Sequence, residues 1–393
     1  MPYLNIYYQI IKPNPNNEFY ADWQNCRAQL ADLSKSESNR IFKINIFVHD
    51  TEIESFHLKK QFIKKELYEV FGENCPTFGV LPQSPEKPFN VTIEVGIIDA
   101  PNVRINYRKY GKYLYTVLEK DGYKELWANG IEDVRPDLDT DIYSRHAFDA
   151  VNQILQSENM TFDNIFRQWN FIGNILSKKR HDQSLLQHYQ VFNKVRHDYY
   201  GRYRTIPDFP AATGIGMNFN GVTIDICAVT PTDDMLIYSI NNPKQVNPYT
   251  YDQRVLSGGS IGEMVHKTPP QFERAKLIEC RELSRLFISG TASIIGQETM
   301  AIDDVETQTK ITIDNIGALI ERANLLHKSP QFKTYSVNQC SYIRVYVKHS
   351  EDIPLVKSIC TDYFGDSPAN YVQTDICRDG LLMEIEAELN LIN

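Results

Sequence analysis

No stretch of this 393-residue chain approaches the ~20 consecutive apolar residues that a membrane-spanning helix needs. The opening Met1-Pro2-Tyr3 lacks the basic and apolar regions of a secretory signal, so a cytoplasmic location is expected. Cys26, Cys75, Cys227, Cys280, Cys340, Cys360 and Cys377 include no CxxC pair, and their odd number makes a poor disulfide framework, so reduced thiols are expected. His146, His197 and His266 show neither HExxH spacing nor a cluster with Cys or Asp, which argues against a metal site. There is no Walker loop, and no dinucleotide fingerprint followed by a suitable acid, so no cofactor is expected. Positive charge is not in excess either. The net charge of −9, without a basic stripe interleaved with aromatics, excludes a general nucleic-acid binder. An anionic substrate would therefore need a local basic pocket.

What is present is an ordinary 42% apolar share, enough to bury a sizeable core, and a half-hidden internal repeat. Three strands alternate with a period of two: Asn90-Val91-Thr92-Ile93-Glu94-Val95, Gly221-Val222-Thr223-Ile224-Asp225-Ile226 and Leu382-Met383-Glu384-Ile385-Glu386-Ala387. Upstream of each lies an apolar strand, Phe42 to Phe47, Trp169 to Ile172 and Tyr342 to Val347. Each of these is followed by a helical stretch: Leu58 to Phe71, Leu185 to Tyr200 and Ile353 to Phe364. A helix opens each unit, over Ala21 to Leu33, Asp141 to Leu155 and a third run that Asp303 can cap. In that third helix Val305, Thr309, Thr312, Ile316, Leu319 and Ala323 form one face.

The repeating unit is thus α–β–α–β, in an α+β fold with modules near 1–105, 106–240 and 275–393. Residues 241–274 form a linker. Its stretch from Asn241 to Pro270 is rich in Asn, Pro, Gly and Tyr without periodicity, and loops of that length are uncommon unless functional. Gly258-Gly259-Ser260-Ile261-Gly262 within it has neither a strand before it nor a helix after it. A flap fits better than a phosphate loop.

The third module resembles the RidA/YjgF family from Leu286-Phe287-Ile288-Ser289-Gly290 through Asp304-Val305-Glu306-Thr307-Gln308 and Asp314-Asn315-Ile316 to Glu384-Ile385-Glu386-Ala387. The second fits the same template more loosely, at Asn129-Gly130, Phe209-Pro210-Ala211 and Thr223-Ile224-Asp225, and the first only in general plan. The resemblance implies RidA/YjgF-like (chorismate-mutase-like) α/β modules. Because RidA proteins are trimers with ligand sites between subunits, three linked modules imply an intrachain pseudo-trimer and a monomeric protein. Within that superfamily, Phe209 to Gly216, Ser289 to Gly296 and Asp375-Ile376-Cys377-Arg378 leading to Glu384-Ile385-Glu386 resemble segments of the chorismatase family. That resemblance covers roughly residues 110–393 and implies cleavage of chorismate to pyruvate and a hydroxybenzoate. RidA deaminases carry a carboxylate-binding Arg after the second helix, whereas Phe78, Ala212 and Asn370 stand there, so an imine deaminase is disfavoured.

Comparing the modules isolates one position. Glu94, Asp225 and Glu386 share an acidic site, but Thr92 and Thr223 are matched by a carboxylate at Glu384. A residue that breaks the repeat calls for its own reason, and the family resemblance also points to Glu384 as the acid. The competing reading is a solvated strand face of Glu384, Glu386 and Glu388. Losing pyruvate requires protonating the enolpyruvyl methylene carbon while the ring C–O bond breaks, which a carboxylic acid in a dry cleft can do.

Two substrate carboxylates need a cationic clamp, and Arg196, Arg202 and Arg204 interleave with Tyr199, Tyr200 and Tyr203 in one segment. Arg274 after the flap is a further carboxylate partner, against the alternative of an exposed ion pair, and Arg378 is another, against the alternative of simply reaching solvent. Thr213, Gly214 and Gly216 lie where backbone could approach a ligand, though a tight turn would need them too. In the chorismatases that form 3-hydroxybenzoate, the family pattern has Gly and Cys where Gly290 and Cys377 stand, which implies that product and a place for Cys377 in the catalytic set. The alternatives are a 4-hydroxybenzoate or mixed product and, from another class, a non-catalytic protein that binds a small aromatic or keto acid.

Overall fold

The computed structural model describes residues 5–14, 18–35, 40–133, 135, 138–181, 184–256, 267–280, 283–326 and 334–392. The glycine run at 258–262 and His266 lie outside them. Three large sheets organise the chain. The first orders Ile6–Ile11, Val91–Ile98, Arg40–Val48 and Thr77–Leu81. The second orders Ala211–Met217, Ile165–Gly173, Val222–Thr230, Tyr123–Glu132, Tyr113–Lys120 and Arg104–Tyr110. The third orders Met235–Ile240, Ala275–Cys280, Leu283–Ala292, Met383–Ile392, Tyr342–Val347, Ala369–Gln373 and Ser84–Pro85. Met235–Ile240 thus pairs with Ala275–Cys280 in the third sheet, not within the 106–240 module where the sequence placed it.

Each sheet carries two helices: α1 (Phe19–Ser34) and α2 (Ile53–Phe71), α3 (Thr140–Ser157) and α4 (His188–Tyr203), α5 (Val305–Asn324) and α6 (Ile353–Phe364). The repeating unit is longer than the predicted α–β–α–β. After the second helix of each unit a short strand, Thr77–Leu81, Ala211–Met217 or Ala369–Gln373, runs parallel to the strand before that helix. Small residues hide it in the second unit, because Ala211-Ala212-Thr213-Gly214 shows no apolar alternation. Two helix boundaries also move. Asp304 caps α5, its side chain accepting from the Thr307 amide, while Asp303 adopts a positive φ of 63° in the turn before it. Helix α4 starts at His188 because Ser184–Gln187 pairs with Lys178–His181.

Helices cover one face of each sheet, and the three other faces meet. Along the closing strands Val91, Ile93 and Val95 pack under α1 and α2, Val222, Ile224 and Ile226 under α3 and α4, and Met383, Ile385 and Ala387 under α5 and α6. The alternate residues, Thr92 and Glu94, Thr223 and Asp225, and Glu384, Glu386 and Glu388, therefore point into the junction of the sheets. Tyr8, Phe42, Trp127, Trp169, Phe287 and Tyr346 fill that junction. Glu384, Glu386 and Glu388 are only 4%, 2% and 3% exposed, which disposes of the solvated-face reading.

Four of these acids tie sheet to sheet, Glu388 of the third by accepting from Tyr8 Oη (2.5 Å) of the first. Glu94 of the first sheet accepts from Arg344 Nε (2.8 Å) and Asn370 Nδ2 (2.9 Å) of the third. Asp225 of the second accepts from Asn45 Nδ2 (2.8 Å) of the first. Glu386 of the third accepts from Arg167 Nη2 (2.8 Å) and Trp169 Nε1 (2.9 Å) of the second. Buried charges persist only when paired and hydrogen-bonded, so these bonds fix how the sheets sit on one another. Arg344 is shared, since its Nη1 also reaches Glu386 at 2.8 Å. Arg344→Met leaves the buried Glu94 without a guanidinium partner and takes one of two from Glu386, and is expected to lower unfolding stability by roughly 3–5 kcal/mol, read from the urea midpoint at unchanged slope.

Candidate active site

Glu384 stands on Met383–Ile392 at the junction of the second and third sheets, opposite Ala292 on one side and Tyr346 on the other. A bulge in Leu283–Ala292 between Ile288 and Thr291 breaks the pairing beside it and places Gly290 directly over the carboxyl. A Cβ at position 290 would lie 1.9 Å from Glu384 Oε1 and 3.0 Å from Thr213 Cγ2. Only glycine leaves room for this glutamate conformation.

Thr213, on Ala211–Met217 of the second sheet, locks the junction. Its hydroxyl accepts from the Gly290 amide (3.0 Å) and from Arg167 Nη2 (2.8 Å), and donates to Glu386 Oε2 (2.5 Å). Both its lone pairs and its proton are used. Glu386 thus collects Arg167, Arg344, Trp169 and Thr213. Against the upward pull of burial, the two guanidinium groups and then these hydrogen bonds hold its pKa below the ordinary value.

Glu384 is the opposite case. Burial, and then the charge of Glu386 two residues along the same face, push its pKa up to about 8, with Arg167 and Arg274 pulling weakly the other way. Two carboxyls on one strand face are thereby sorted into an anion and a neutral acid, as divided acid–base roles require.

The carboxyl opens into a cavity of about 580 Å³, including its mouth. Tyr189 and Gln190 from the first turn of α4, Ala212 and Gly214 from the second sheet, Gly290 and Ala292 from the third, and Ile294 from the short ribbon that follows form much of its wall. Tyr251, Val255, Leu256, Pro270 and Phe272 close it from the 241–274 linker. Two guanidinium groups line it. Arg274 donates to Tyr251 Oη (2.5 Å) and to the Val246 carbonyl (2.8 Å), leaving its buried Nε without a protein partner. Arg378 donates to the Gln297 carbonyl (2.9 Å) and lies 4.9 Å from the centre of the Tyr251 ring. Cys377 lines the same cavity. Burial, reinforced by Glu384, raises its thiol to about 12, so it is a neutral group at physiological pH.

The structure brings together Glu384, Gly290, Cys377, Arg274, Arg378 and Gly214, with Thr213 directly behind them. It does not bring the predicted arginine–tyrosine clamp there. Arg196 is buried on Asn193 Oδ1 (2.7 Å) and lines no part of the cavity. Tyr200 donates to Gln168 Oε1 (3.0 Å), and Tyr203 stacks on Phe162. Arg204 is used by the Asp208 carbonyl at 2.8 Å and by the Phe162 carbonyl, and Arg202 is exposed over the Tyr203 ring. The reason is the helix itself: Tyr189 faces the cavity, and at 1.5 Å per residue Arg202 lies about 20 Å further along the axis. Gly216 serves packing, because a Cβ there would meet the Asp375 carbonyl oxygen at 2.6 Å. Gly214 admits the Tyr189 ring, which a Cβ would approach to 2.9 Å.

Sequence reasoning missed Arg167, Arg344, Tyr189, Tyr251 and Phe272. The first two carried a signal, a lone arginine inside an apolar strand, which is rarely buried unless paired. The linker aromatics carried none.

Above its ordinary value of 4.5 the Glu384 carboxyl ionises in the unfolded chain but keeps its proton in the folded one up to about pH 8. The stability it contributes is therefore full below pH 4.5 and is lost as pH rises toward 8. Glu384→Gln removes that loss, so its melting temperature is expected to exceed that of the unsubstituted protein at pH 8, with the gap closing toward pH 5.

Residues 99–228 match the family model described as Chorismatase FkbO/Hyg5-like, N-terminal. A 3-hydroxybenzoate synthase of Streptomyces hygroscopicus is 32% identical over 249 residues, 62% of this chain and 68% of that protein. A chorismatase of Streptomyces rapamycinicus is 33% identical over 180 residues, 45% of this chain and 50% of that relative. A chorismatase crystal structure superposes with a TM-score of 0.70 over 98% of both chains at 20% identity, which shows a common fold. With that fold, and with about a third of residues shared across two thirds of a relative, the chain belongs to the chorismatase family.

Proposed function

We propose that the protein cleaves chorismate into pyruvate and 3-hydroxybenzoate, with Glu384 as the proton donor. The observation that carries this reading is a buried carboxyl, raised to about 8, facing a cavity that holds two guanidinium groups. Chorismate is a dianion with an enol-ether side chain. Arg274 and Arg378 supply charge for its two carboxylates, and Tyr189, Tyr251 and Phe272 supply apolar wall for its ring. Glu384 delivers its proton to the side-chain methylene carbon. The ring C–O bond breaks, and its electron pair stays on the departing oxygen, which becomes the carbonyl of pyruvate.

The ring is left electron-poor and regains neutrality by losing a proton as it becomes aromatic, which restores the acid. The atoms of chorismate equal those of pyruvate plus hydroxybenzoic acid, so no oxidant or net water is needed. One hydroxyl oxygen remains on the ring. A 4-hydroxy product results if it stays in place, and a 3-hydroxy product requires its transfer to the neighbouring carbon. Gly290 and the neutral thiol of Cys377 shape the wall beside Glu384, where this choice is made. The name of the Streptomyces hygroscopicus relative supports the 3-isomer. The cross-sheet bonds of Glu94, Asp225 and Glu386 lie within one chain, which supports a pseudo-trimer that acts as a monomer, and a cytoplasmic location suits the free thiols.

Incubation with chorismate is expected to release pyruvate, detected with lactate dehydrogenase, and 3-hydroxybenzoate, identified by chromatography. Glu384→Gln is expected to lower kcat by roughly 10²–10⁴-fold. Because the protonated form acts, kcat/KM is expected to be level at neutral pH and to fall above about 8. Gly290→Ala forces Glu384 out of place and is expected to reduce kcat by about 10²-fold, with folding checked by circular dichroism. Unchanged turnover in Glu384→Gln would remove the mechanism.

A further inference from the structure

We propose that a second cavity, between the first and second sheets, is a non-catalytic binding site for a small aromatic carboxylate that bears a hydroxyl group. The cavity is about 600 Å³ including its mouth. It is built as the first one is: Thr77–Leu81 runs against Tyr123–Glu132 as Ala211–Met217 runs against Leu283–Ala292. A glycine marks the close approach in both. A Cβ at Gly130 would meet the Phe78 carbonyl oxygen at 2.6 Å.

The lining reads as a ligand class. Tyr68, Phe78 and Tyr113 provide aromatic wall, which suits a flat ring. Lys60 also lines it but is neutralised by the Glu132 carboxylate beside it. Lys64 and Lys112 have no carboxylate partner among the described residues, and Lys112 lies 5.2 Å from the centre of the Tyr113 ring. The remaining charge is positive, which selects an anion.

Asn129 sets the second requirement. It is 4% exposed, and its Nδ2 donates to Asn45 Oδ1 (3.0 Å) and Asp225 Oδ2 (2.9 Å), which fixes the amide orientation. Its Oδ1 is left buried without a partner on a residue that lines the cavity. An unmet buried acceptor is unfavourable, and a ligand hydroxyl would meet it. No proton donor corresponds to Glu384 here. The matching residue is Thr223, whose hydroxyl donates to Glu132 Oε2 at 3.1 Å, so the site binds without turning over.

The class of ligand is read from the cavity. Using 3-hydroxybenzoate as the probe rests on the reaction proposed above, and would make the site a product sensor. Calorimetric titration of the full chain with 3-hydroxybenzoate and with benzoate, before and after Lys64→Ala/Lys112→Ala, tests it. Both lysines are exposed, so the variant is expected to fold. The expected result is one molar equivalent of 3-hydroxybenzoate lost in the variant, benzoate bound about fivefold more weakly at that site for want of one hydrogen bond, and unchanged chorismate turnover. Equal stoichiometry in the two proteins, or benzoate bound as tightly as 3-hydroxybenzoate, would overturn the site. Turnover is scored separately in the same samples. No turnover with the lysine-dependent equivalent present would sink the reaction and leave the site standing, whereas turnover without that equivalent would sink the site alone.

Discussion

Glu386 is the constraint on which the rest of this molecule depends. It is an anion buried where two sheets meet, and it is tolerable there only because Arg167, Arg344, Trp169 and Thr213 all converge on it. Those partners come from the second and third sheets, so satisfying one carboxylate sets the distance and register between them. The cavity beside it is a product of that registration. Gly290 is held by its amide to the same threonine hydroxyl, which brings the bulged strand over Glu384.

The same anion tunes its neighbour. Two residues apart on a strand means the same face, and in a dry junction a fixed negative charge makes a second one unfavourable. Glu384 keeps its proton first because it is buried and second because Glu386 beside it stays ionised. Structure and electrostatics thus share a single group: the contacts that dock the sheets also hold Glu386 ionised, and its charge adds to the burial that keeps Glu384 protonated. Glu94 and Asp225 dock their sheets in the equivalent way, but Thr92 and Thr223 stand beside them where the third closing strand has the carboxyl of Glu384.

Much of this was legible in the residues. Alternation in Leu382 to Ala387 placed Glu384 and Glu386 on one face, and comparison with Val91 to Val95 and Val222 to Ile226 singled out Glu384. Those inferences rest on period and repetition, which are local. The clamp was misread for the same reason. Arg196, Arg202 and Arg204 are close in sequence, yet α4 runs away from Tyr189 toward them, Arg196 and Arg204 are engaged by their neighbours, and Arg202 is exposed. Arg274 and Arg378, 104 positions apart in number, instead meet around one tyrosine ring from the linker.

The sequence by itself determined the period of each strand, the helix faces, the threefold repetition and the odd carboxylate that breaks it, because backbone geometry and apolar patterning act over a few residues. Tertiary structure alone decided that both faces of the closing strands were buried, which arginines reached the cavity and how far Glu384 was pushed from its ordinary pKa. Desolvation and charge pairing depend on what is packed against a group, and here Arg167, Trp169 and Thr213 reach Glu386 from another sheet while Tyr251 and Arg274 reach the cavity from the linker.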